Sequence, residues 1–314
     1  MIRPLVGISM GDPAGIGPEV IIKALKSTKG LPIIIIGSKK VFIRTCQKLN
    51  LPFPLRTISS LDDYQGDSAL LDTVKLSDFS FGKPTKKSAA MALQAIDQAI
   101  GLLKRNKIKG LVTAPIWKTG IRFYCKNFIG HTEYLAEKFF AKDFAMMGIS
   151  RTKRILFLTT HIPLRSVFKY ITKSNIIHAL KLLHRGLKET FKIKKPKIGV
   201  ANLNPHGLEF SAGEDEVLID AIRTAHLKGI NAFGPFPADT LFNQTYDGFL
   251  ALYHDQGMIF LKSRPDGVNF TFGLPIIRTS PLHGTAFDIA GHNRADANSM
   301  IAAIKLAVEL TRKA

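Results

Sequence analysis

Three of the nine histidines in this 314-residue sequence come directly after apolar segments that have the composition of buried strands. His161 follows ILFLTT, His206 follows IGVANLNP, and His254 follows LALY. Ligands of parallel α/β sheets bind beyond the carboxyl ends of the strands, so we expect the three imidazoles at one edge of a sheet. Three imidazoles with an open position are typical of a catalytic site for zinc, cobalt or nickel, whereas any one alone is more often an ordinary loop histidine.

The stretch FLALYHDQGMIFLK, residues 249–262, has two apolar runs with strand composition on either side of HDQG. Burying an imidazole and a carboxylate costs several kcal/mol unless the groups are paired or bind a metal. HDQG is therefore either a plain surface turn or a place where His254 leaves the sheet edge and a ligand such as a metal is held. Asp255 is then placed to accept a hydrogen bond from an imidazole and orient it.

A second group of residues is suited to an anion. His131 and Thr132 begin a predicted helix in IGHTEYLAEKFF, where free N–H groups and the helix dipole favour negative charge, although a plain threonine N-cap is the alternative. Lys262, Asn269 and Arg278 form a polar series along predicted short strands. Lysine and arginine bind phosphate, arginine through two parallel hydrogen bonds.

The glycine-rich loop GDPAGIGP follows the first predicted strand but matches neither GxGxxG nor GxxxxGK[ST]. A nucleotide site and a tight turn into a proline-capped helix are equal alternatives for it. No cofactor-binding residue is assigned from this loop.

Strand and helix patterns alternate along the chain, which predicts an α/β fold with a largely parallel sheet. The chain length favours two domains over one. We predict strands and helices over the following residues: strands 6–9, 31–37, 110–115 and 197–203; helices from 17, 88–105, 174–191, 215–227 and 295–312.

The formal charge of +20 is carried by short basic clusters scattered along the chain, without interleaved aromatic residues or a nucleic-acid motif. This favours an anionic small substrate over nucleic acid. The two cysteines match no disulfide or zinc spacing, which favours a reducing compartment. The N-terminus lacks a signal-peptide pattern and no apolar run could span a bilayer, so we expect a cytoplasmic protein with no membrane partner.

The segments GDPAGIGPE, TAPIWK, GHTEYLA, NLNPHG, PADTLF, YHDQG and GLPIIRTSPLHGTA, taken in this order, resemble the 4-hydroxythreonine-4-phosphate dehydrogenase family of vitamin B6 biosynthesis. The resemblance runs almost end to end. It implies a homodimer with a two-domain fold similar to isocitrate and isopropylmalate dehydrogenases, mixed, largely parallel sheets and an active-site cleft between domains. The expected domains are 1–128 plus 280–314, and 129–279, the latter carrying the metal ligands and the dimer interface.

The resemblance also implies roles for individual residues. The third metal ligand is expected to be contributed across the dimer to the other subunit's site. The matched positions are the metal ligands His161, His206 and His254, the substrate-binding residues His131, Thr132, Lys262, Asn269 and Arg278, and the catalytic residues Asp239 and Lys262.

The implied reaction uses NAD or NADP and a divalent zinc, cobalt or magnesium ion. It oxidises 4-phosphohydroxy-L-threonine to a 2-amino-3-oxo acid, which loses CO₂ to give 3-amino-2-oxopropyl phosphate. A sister dehydrogenase acting on another phosphorylated four-carbon acid or on a dihydrodiol is the main alternative. A nucleic-acid-binding module and an inactive family member that serves as an interaction protein are two further alternatives.

Overall fold

The computed structural model describes residues 4–75 and 78–313. Its strands are β1 Val6–Ser9, β2 Ile33–Gly37, β3 Arg56–Ile58, β4 Ala69–Asp72, β5 Gly110–Thr113, β6 Ala145–Ser150, β7 Lys153–Phe157, β8 Lys197–Ala201, β9 Asn231–Phe236, β10 Gly248–Ala251, β11 Val268–Phe272 and β12 Ile277–Pro281. Its α-helices are α1 Gly17–Leu25, α2 Lys39–Leu49, α3 Lys86–Lys104, α4 Lys118–Ile121, α5 His131–Lys138, α6 Leu164–Val167, α7 Lys173–Glu189, α8 Glu214–Leu227, α9 Ala238–Leu241, α10 His254–Lys262 and α11 Asn298–Lys313.

The chain divides into two compact units. The first runs up to Lys142 and resumes over Leu274–Arg312, and the second comprises Asp143–Gly273. The first unit therefore takes in α5 and β12, which we expected in the other domain. Consequently His131, Thr132 and Arg278 belong to the first unit, whereas the three histidines proposed as metal ligands belong to the second.

The sheet of the first unit has the strand order β3-β4-β2-β1-β5-β12, and every pairing in it is parallel. Strand β2 is IIIIG, and its four isoleucines are fully buried. A strand of a parallel sheet is covered on both faces, which explains why this segment is a continuous apolar run and not an alternating one. Helix α3 packs on this sheet through a stripe that includes Ala89, Ile96 and Leu103.

The sheet of the second unit has the order β11-β6-β7-β10-β8-β9. The pairings of β6 with β11 and with β7 are antiparallel, and the remaining ones are parallel. Helix α7 packs against β7 and β10, and its predicted apolar positions Leu180, Leu183 and Leu187 are fully buried. The predicted α/β class with mixed, largely parallel pairing is confirmed.

The predicted strand over MIFL, residues 258–261, is wrong because these residues lie in α10. Met258 and Leu261 are buried whereas Ile259 is 74% exposed, which is a helical pattern and not strand alternation. The apolar run is too short for its period to separate a helix from a strand. HDQG therefore does not interrupt a strand; it forms the first turn of a helix that starts just after β10. Lys262 accordingly ends a helix and does not lie on a strand.

The other predicted elements are present, with ends shifted by a few residues. Strand β1 has the predicted bounds, and α1 starts at Gly17 with its proline in the first turn. No helix in the part of the chain that the structure describes is long and apolar enough to cross a membrane.

Candidate functional site

The three strands that precede the candidate metal histidines are neighbours in the sheet. Strand β10 pairs in parallel with β7 on one side and with β8 on the other. His161, His206 and His254 each follow the carboxyl end of one of these strands. The fold thus brings the three segments to one sheet edge, as the sequence predicts.

Two of these imidazoles are close together within the chain. The ring centroids of His161 and His254 are 5.8 Å apart. Two imidazoles bound to one ion at about 2.0–2.1 Å would have centroids roughly 5–6 Å apart, so the pair fits a shared metal. His206 lies 5.9 Å from the Phe210 ring, and among the described residues no group of three His, Cys, Asp or Glu side chains is assembled as a metal site.

The His254 imidazole is oriented by its neighbour. Its Nδ1 atom donates a hydrogen bond to Oδ1 of Asp255, at 2.6 Å. A carboxylate on Nδ1 fixes the tautomer and leaves Nε2 as the ligand atom, which is the usual arrangement for metal-binding histidines. The structure therefore contains the orienting contact that the sequence indicated for Asp255.

Gln256 is a positioning residue that the sequence motifs did not single out. Its Oε1 accepts a hydrogen bond from the Leu252 N–H at 2.8 Å, and its Nε2 donates to the Asn202 carbonyl at 2.7 Å. One side chain thus joins the loops that follow β10 and β8 and carry His254 and His206. The feature of the sequence that could have identified Gln256 is its position in the HDQG segment, next to His254 and Asp255.

Asp215 holds the loop before His206 in the same way. This buried carboxylate accepts hydrogen bonds from the Leu203 N–H at 2.7 Å and from Nδ2 of Asn204 at 2.9 Å. The bonds tie the backbone and a side chain of the loop to the first turn of α8. They fix the path of the loop in which His206 adopts a left-handed backbone, with φ 57°.

Arg278 is the centre of a second cluster, in the first unit. Its side chain is 2% exposed; Nε and Nη2 donate to Oγ1 of Thr113 at 3.2 and 2.6 Å, and Nη1 donates to Oγ1 of Thr132 at 3.4 Å. Burial lowers the pKa of Arg278 to about 10, an effect that Glu133 opposes. The guanidinium is therefore charged at neutral pH but buried at a cost that a bound anion would offset.

His131 and Thr132 form the first turn of α5, whose N-cap is Gly130. The alternative of a threonine N-cap is therefore wrong. The pKa of His131 lies well below its ordinary value because of burial and then because of the positive charges of Arg278 and Lys118. The imidazole is neutral at pH 7, and its buried Nε2 atom has no hydrogen-bond partner among the described residues.

Lys118, the last residue of the TAPIWK segment, to which the sequence analysis assigned no role, completes this cluster. Its Nζ atom lies 3.3 Å from the position that a Cβ on Gly130 would take, so it is held beside the α5 N-terminus. Helix N–H groups, a guanidinium and an ammonium together fit a phosphate. An unpaired buried atom such as Nε2 of His131 is a typical mark of a ligand site. The cluster therefore has the chemistry of an anion site.

The remaining predicted residues belong to the second unit. Asn269 lies on β11 with a buried Oδ1 atom that has no partner in the described chain. Lys262 is exposed at the end of α10, roughly 12 Å along the helix from His254. Asp239 is exposed in α9, just beyond the carboxyl end of β9. Asp239 therefore shares the sheet edge of the histidines, whereas the helix carries Lys262 away from His254.

The loop GDPAGIGP is a tight turn that leads from β1 into α1. Gly11 has φ +73°, and a Cβ there would lie 2.5 Å from the Pro115 carbonyl oxygen, so a side chain is excluded. Burial raises the pKa of Asp12 to about 6. The hydrogen bond that the carboxylate accepts from the Ala14 N–H has the opposite effect and lowers the pKa. The Oδ2 atom of Asp12 is buried with no partner in the described part of the chain.

Replacing Asp12 with asparagine is expected to stabilise the protein at pH 7. The folded-state pKa of about 6 lies above the ordinary 3.8, so the folded protein binds the proton more tightly and loses stability as the pH rises through about 4 to 6. The uncharged Asp12→Asn variant avoids this loss, worth about 2–3 kcal/mol. Urea unfolding at pH 4 and pH 7 measures the effect; a variant less stable than wild type at pH 7 would contradict it.

The sequence and the fold of this chain are similar to those of known proteins. The family model "Pyridoxal phosphate biosynthetic protein PdxA" matches residues 29–307. A 4-hydroxythreonine-4-phosphate dehydrogenase of Sulfurihydrogenibium is 37% identical, with 98% of each chain covered. The crystal structure of the enzyme of that name from Klebsiella pneumoniae has a TM-score of 0.85 and 32% identity, and the match covers 98% of this chain and 99% of that one.

A third relative carries a different name. A protein of Oceanobacillus iheyensis, provisionally named a D-threonate 4-phosphate dehydrogenase, is also 37% identical with 98% of each chain covered. Relatives with two substrate names are therefore equally similar to this sequence. The resemblance seen in the sequence motifs is confirmed, and the chain is an enzyme that belongs to the PdxA family of pyridoxal phosphate biosynthetic proteins.

Proposed function

We propose that this protein oxidises 4-phosphohydroxy-L-threonine with NAD or NADP, and that the product loses CO₂ to give 3-amino-2-oxopropyl phosphate. The observation that carries the proposal is the buried Arg278 hydrogen-bonded to Thr132 at the start of α5, beside the unpaired Nε2 of His131. This arrangement fits the phosphate of the substrate. Family membership supplies the reaction class.

The roles of the anion cluster follow from its chemistry. Arg278, Lys118 and the first N–H groups of α5 bind the phosphate oxygens, and Thr132 contributes its hydroxyl. Neutral His131 donates a hydrogen bond from its buried ring nitrogen without adding charge. Asn269 and Lys262 are proposed to contact the rest of the substrate, and Asp239 and Lys262 to handle protons; these roles rest on the motif match alone.

We propose that His161, His206 and His254 hold one divalent cation: zinc, cobalt or magnesium. The donor set suits such an ion, and the 5.8 Å spacing of His161 and His254 together with the Asp255 contact supports it. The metal would supply Lewis-acid polarisation of a substrate oxygen, and the nicotinamide would supply the hydride acceptor. The residues of this chain orient the ligands and position the substrate alcohol.

A homodimer that shares its metal sites is part of the proposal. Within one chain His161 and His254 lie together, and no third ligand is assembled with them among the described residues. We propose that a second copy of the chain supplies the third ligand. Large apolar side chains are exposed in the segments that carry the histidines, which favours a covered surface there. They are Leu164, Phe168, Leu208, Phe210 and Ile259.

D-threonate 4-phosphate is the second candidate substrate. The relative that carries this substrate name is 37% identical to this chain, as is the Sulfurihydrogenibium enzyme, which favours D-threonate 4-phosphate as a candidate. The anion cluster would bind the phosphate of either substrate. A dihydrodiol carries no phosphate to bind at the N-terminus of α5, beside Lys118 and the unpaired Nε2 of His131. The phosphorylated four-carbon acids are therefore preferred.

NADH formation by the purified protein is the direct test. We expect turnover of 4-phosphohydroxy-L-threonine with NAD or NADP that stops after chelation and returns when zinc, cobalt or magnesium is added. D-threonate 4-phosphate is run beside it under the same conditions. Turnover of D-threonate 4-phosphate alone would replace the first substrate with the second, and turnover that survives complete metal removal would refute the metal site.

A further inference from the structure

Glu133 brings a carboxylate into the Arg278 cluster. It belongs to the first turn of α5 and is half-buried. Its Oε2 atom lies 3.1 Å from the position that a Cβ on Gly130 would take, and Nζ of Lys118 lies 3.3 Å from the same position. The side chain therefore folds back to the start of the helix, where its carboxylate is beside the Lys118 ammonium group.

The same carboxylate acts on Arg278. Its negative charge raises the pKa of the guanidinium and so opposes the larger effect of burial, which lowers that pKa. Arg278 donates a hydrogen bond to Thr132, the residue before Glu133 in the chain. Because the energy between two charges falls as they separate, this effect on Arg278 places the carboxylate near both cations of the cluster.

The start of α5 favours a negative charge at this place. The first N–H groups of a helix have no partner within the helix, and the helix dipole adds partial positive charge there. Glu133 is the acidic residue of the first turn of α5. Its carboxylate thus supplies the negative charge that two cations and a helix N-terminus attract.

Gly130 leaves the room that this arrangement needs. Its φ of 177° is extended backbone that any residue adopts, so the backbone itself does not require a glycine. A Cβ there would be closer than ordinary van der Waals contact to the tips of both Glu133 and Lys118. The glycine therefore keeps the space at the helix start open for charged groups.

A phosphate bound at the start of α5 would meet this carboxylate. A phosphate monoester carries a charge of about −1.5 to −2 at pH 7. Like charges a few ångströms apart repel each other, and more strongly where the site is partly buried. Both anions would also use the same cations, Arg278 and Lys118. The carboxylate and the phosphate therefore compete for one position.

We propose that Glu133 is the resident counter-ion of the anion cluster: its carboxylate occupies the site when no substrate is bound, and the substrate phosphate displaces it. The inference rests on the proposed phosphate site and gives Glu133 a role in it. In the empty site the carboxylate pairs with cations that would otherwise be buried uncompensated. Competition from it lowers phosphate affinity, which favours release of a product that still carries the phosphate.

Equilibrium dialysis of the full-length protein with radiolabelled inorganic phosphate tests the proposal. Glu133→Gln removes the charge but keeps the shape, and glutamine can cap a helix from this position as glutamate does. We expect the variant to bind phosphate about fivefold more tightly or better, because a neighbouring like charge is gone. Glu137→Gln makes the same change at an exposed position of α5 and should leave the Kd unchanged.

The gain in affinity is also expected to depend on Arg278. Basic groups elsewhere on the protein bind phosphate too, and they are not affected by Glu133. In an Arg278→Met background, Glu133→Gln should therefore change the phosphate Kd by less than about twofold. In the single variant, the KM for the phosphorylated substrate should fall together with the phosphate Kd.

Two different failures can be told apart in this experiment. If Arg278→Met weakens phosphate binding but Glu133→Gln leaves the Kd unchanged or raises it, the counter-ion role is overturned and the phosphate site stands. If Arg278→Met does not weaken phosphate binding, or no phosphate binds, the proposed phosphate site is refuted and the counter-ion role with it.

Discussion

Arg278→Met is expected to lower kcat/KM for the phosphorylated substrate by at least about 30-fold while leaving the folded protein no less stable. Removing one partner of a buried, hydrogen-bonded charge pair costs about 2–5 kcal/mol of binding, which corresponds to roughly 30-fold or more. Without substrate the same guanidinium is buried at a cost, as its lowered pKa of about 10 indicates. An apolar side chain of similar length removes that cost.

The measurements are steady-state kinetics and urea unfolding of the same preparations. Arg105→Met, which removes a charge from an exposed position of the same unit, is the control and should leave both quantities unchanged. Arg278→Lys keeps the charge but loses the paired bonds to Thr113, so its kcat/KM should fall between those of wild type and Arg278→Met. Near-normal kcat/KM in Arg278→Met would remove Arg278 from the substrate site.

His254→Ala is expected to abolish metal binding and turnover without unfolding the protein. Mutating a partner that orients a metal-binding histidine lowers metal affinity or activity by about 10–100-fold. We therefore expect Asp255→Asn to lower metal affinity by about that factor, and His254→Ala, which removes the ligand itself, to lower it further. Metal content after dialysis and NADH formation give the two readouts. His178→Gln removes an exposed imidazole of the same unit and serves as the control.

Mixing two inactive variants tests whether a metal site is shared between subunits. If His206 and His254 of one site come from different chains, a heterodimer of His206→Ala and His254→Ala subunits contains one intact site and one that lacks both ligands. Refolding the two variants together should then restore about a quarter of the wild-type activity, by random pairing of subunits. No restoration, with dimers present, would show that both ligands come from one chain.

Much of this protein follows from local sequence. The β-branched run IIIIG and the helical spacing of Leu180, Leu183 and Leu187 are properties of short segments, and the elements they predict are present. The seven motif segments are specific enough to indicate the family by themselves. The positions of the histidines directly after strands also depend only on the order of residues along the chain.

Other features depend on contacts between segments that are distant in sequence. Residues 258–261 have the composition of a strand, but they belong to α10, which packs against β6 and β7. The neighbouring positions of β7, β10 and β8 come from parallel pairing between distant segments: Phe249 pairs with Ile155 and Gly248 with Ile198. The closeness of His161 and His254 follows from the first of these pairings.

Residue chemistry divides in the same way. The sequence alone determined which side chains are present, and their types suggested a metal and a phosphate. Only the tertiary structure decided their protonation and availability: a neutral His131 with an unpaired nitrogen, and a buried Arg278 held by Thr113. The physical reason is that pKa and hydrogen-bond satisfaction depend on burial and on neighbours that chain folding, not sequence spacing, brings together.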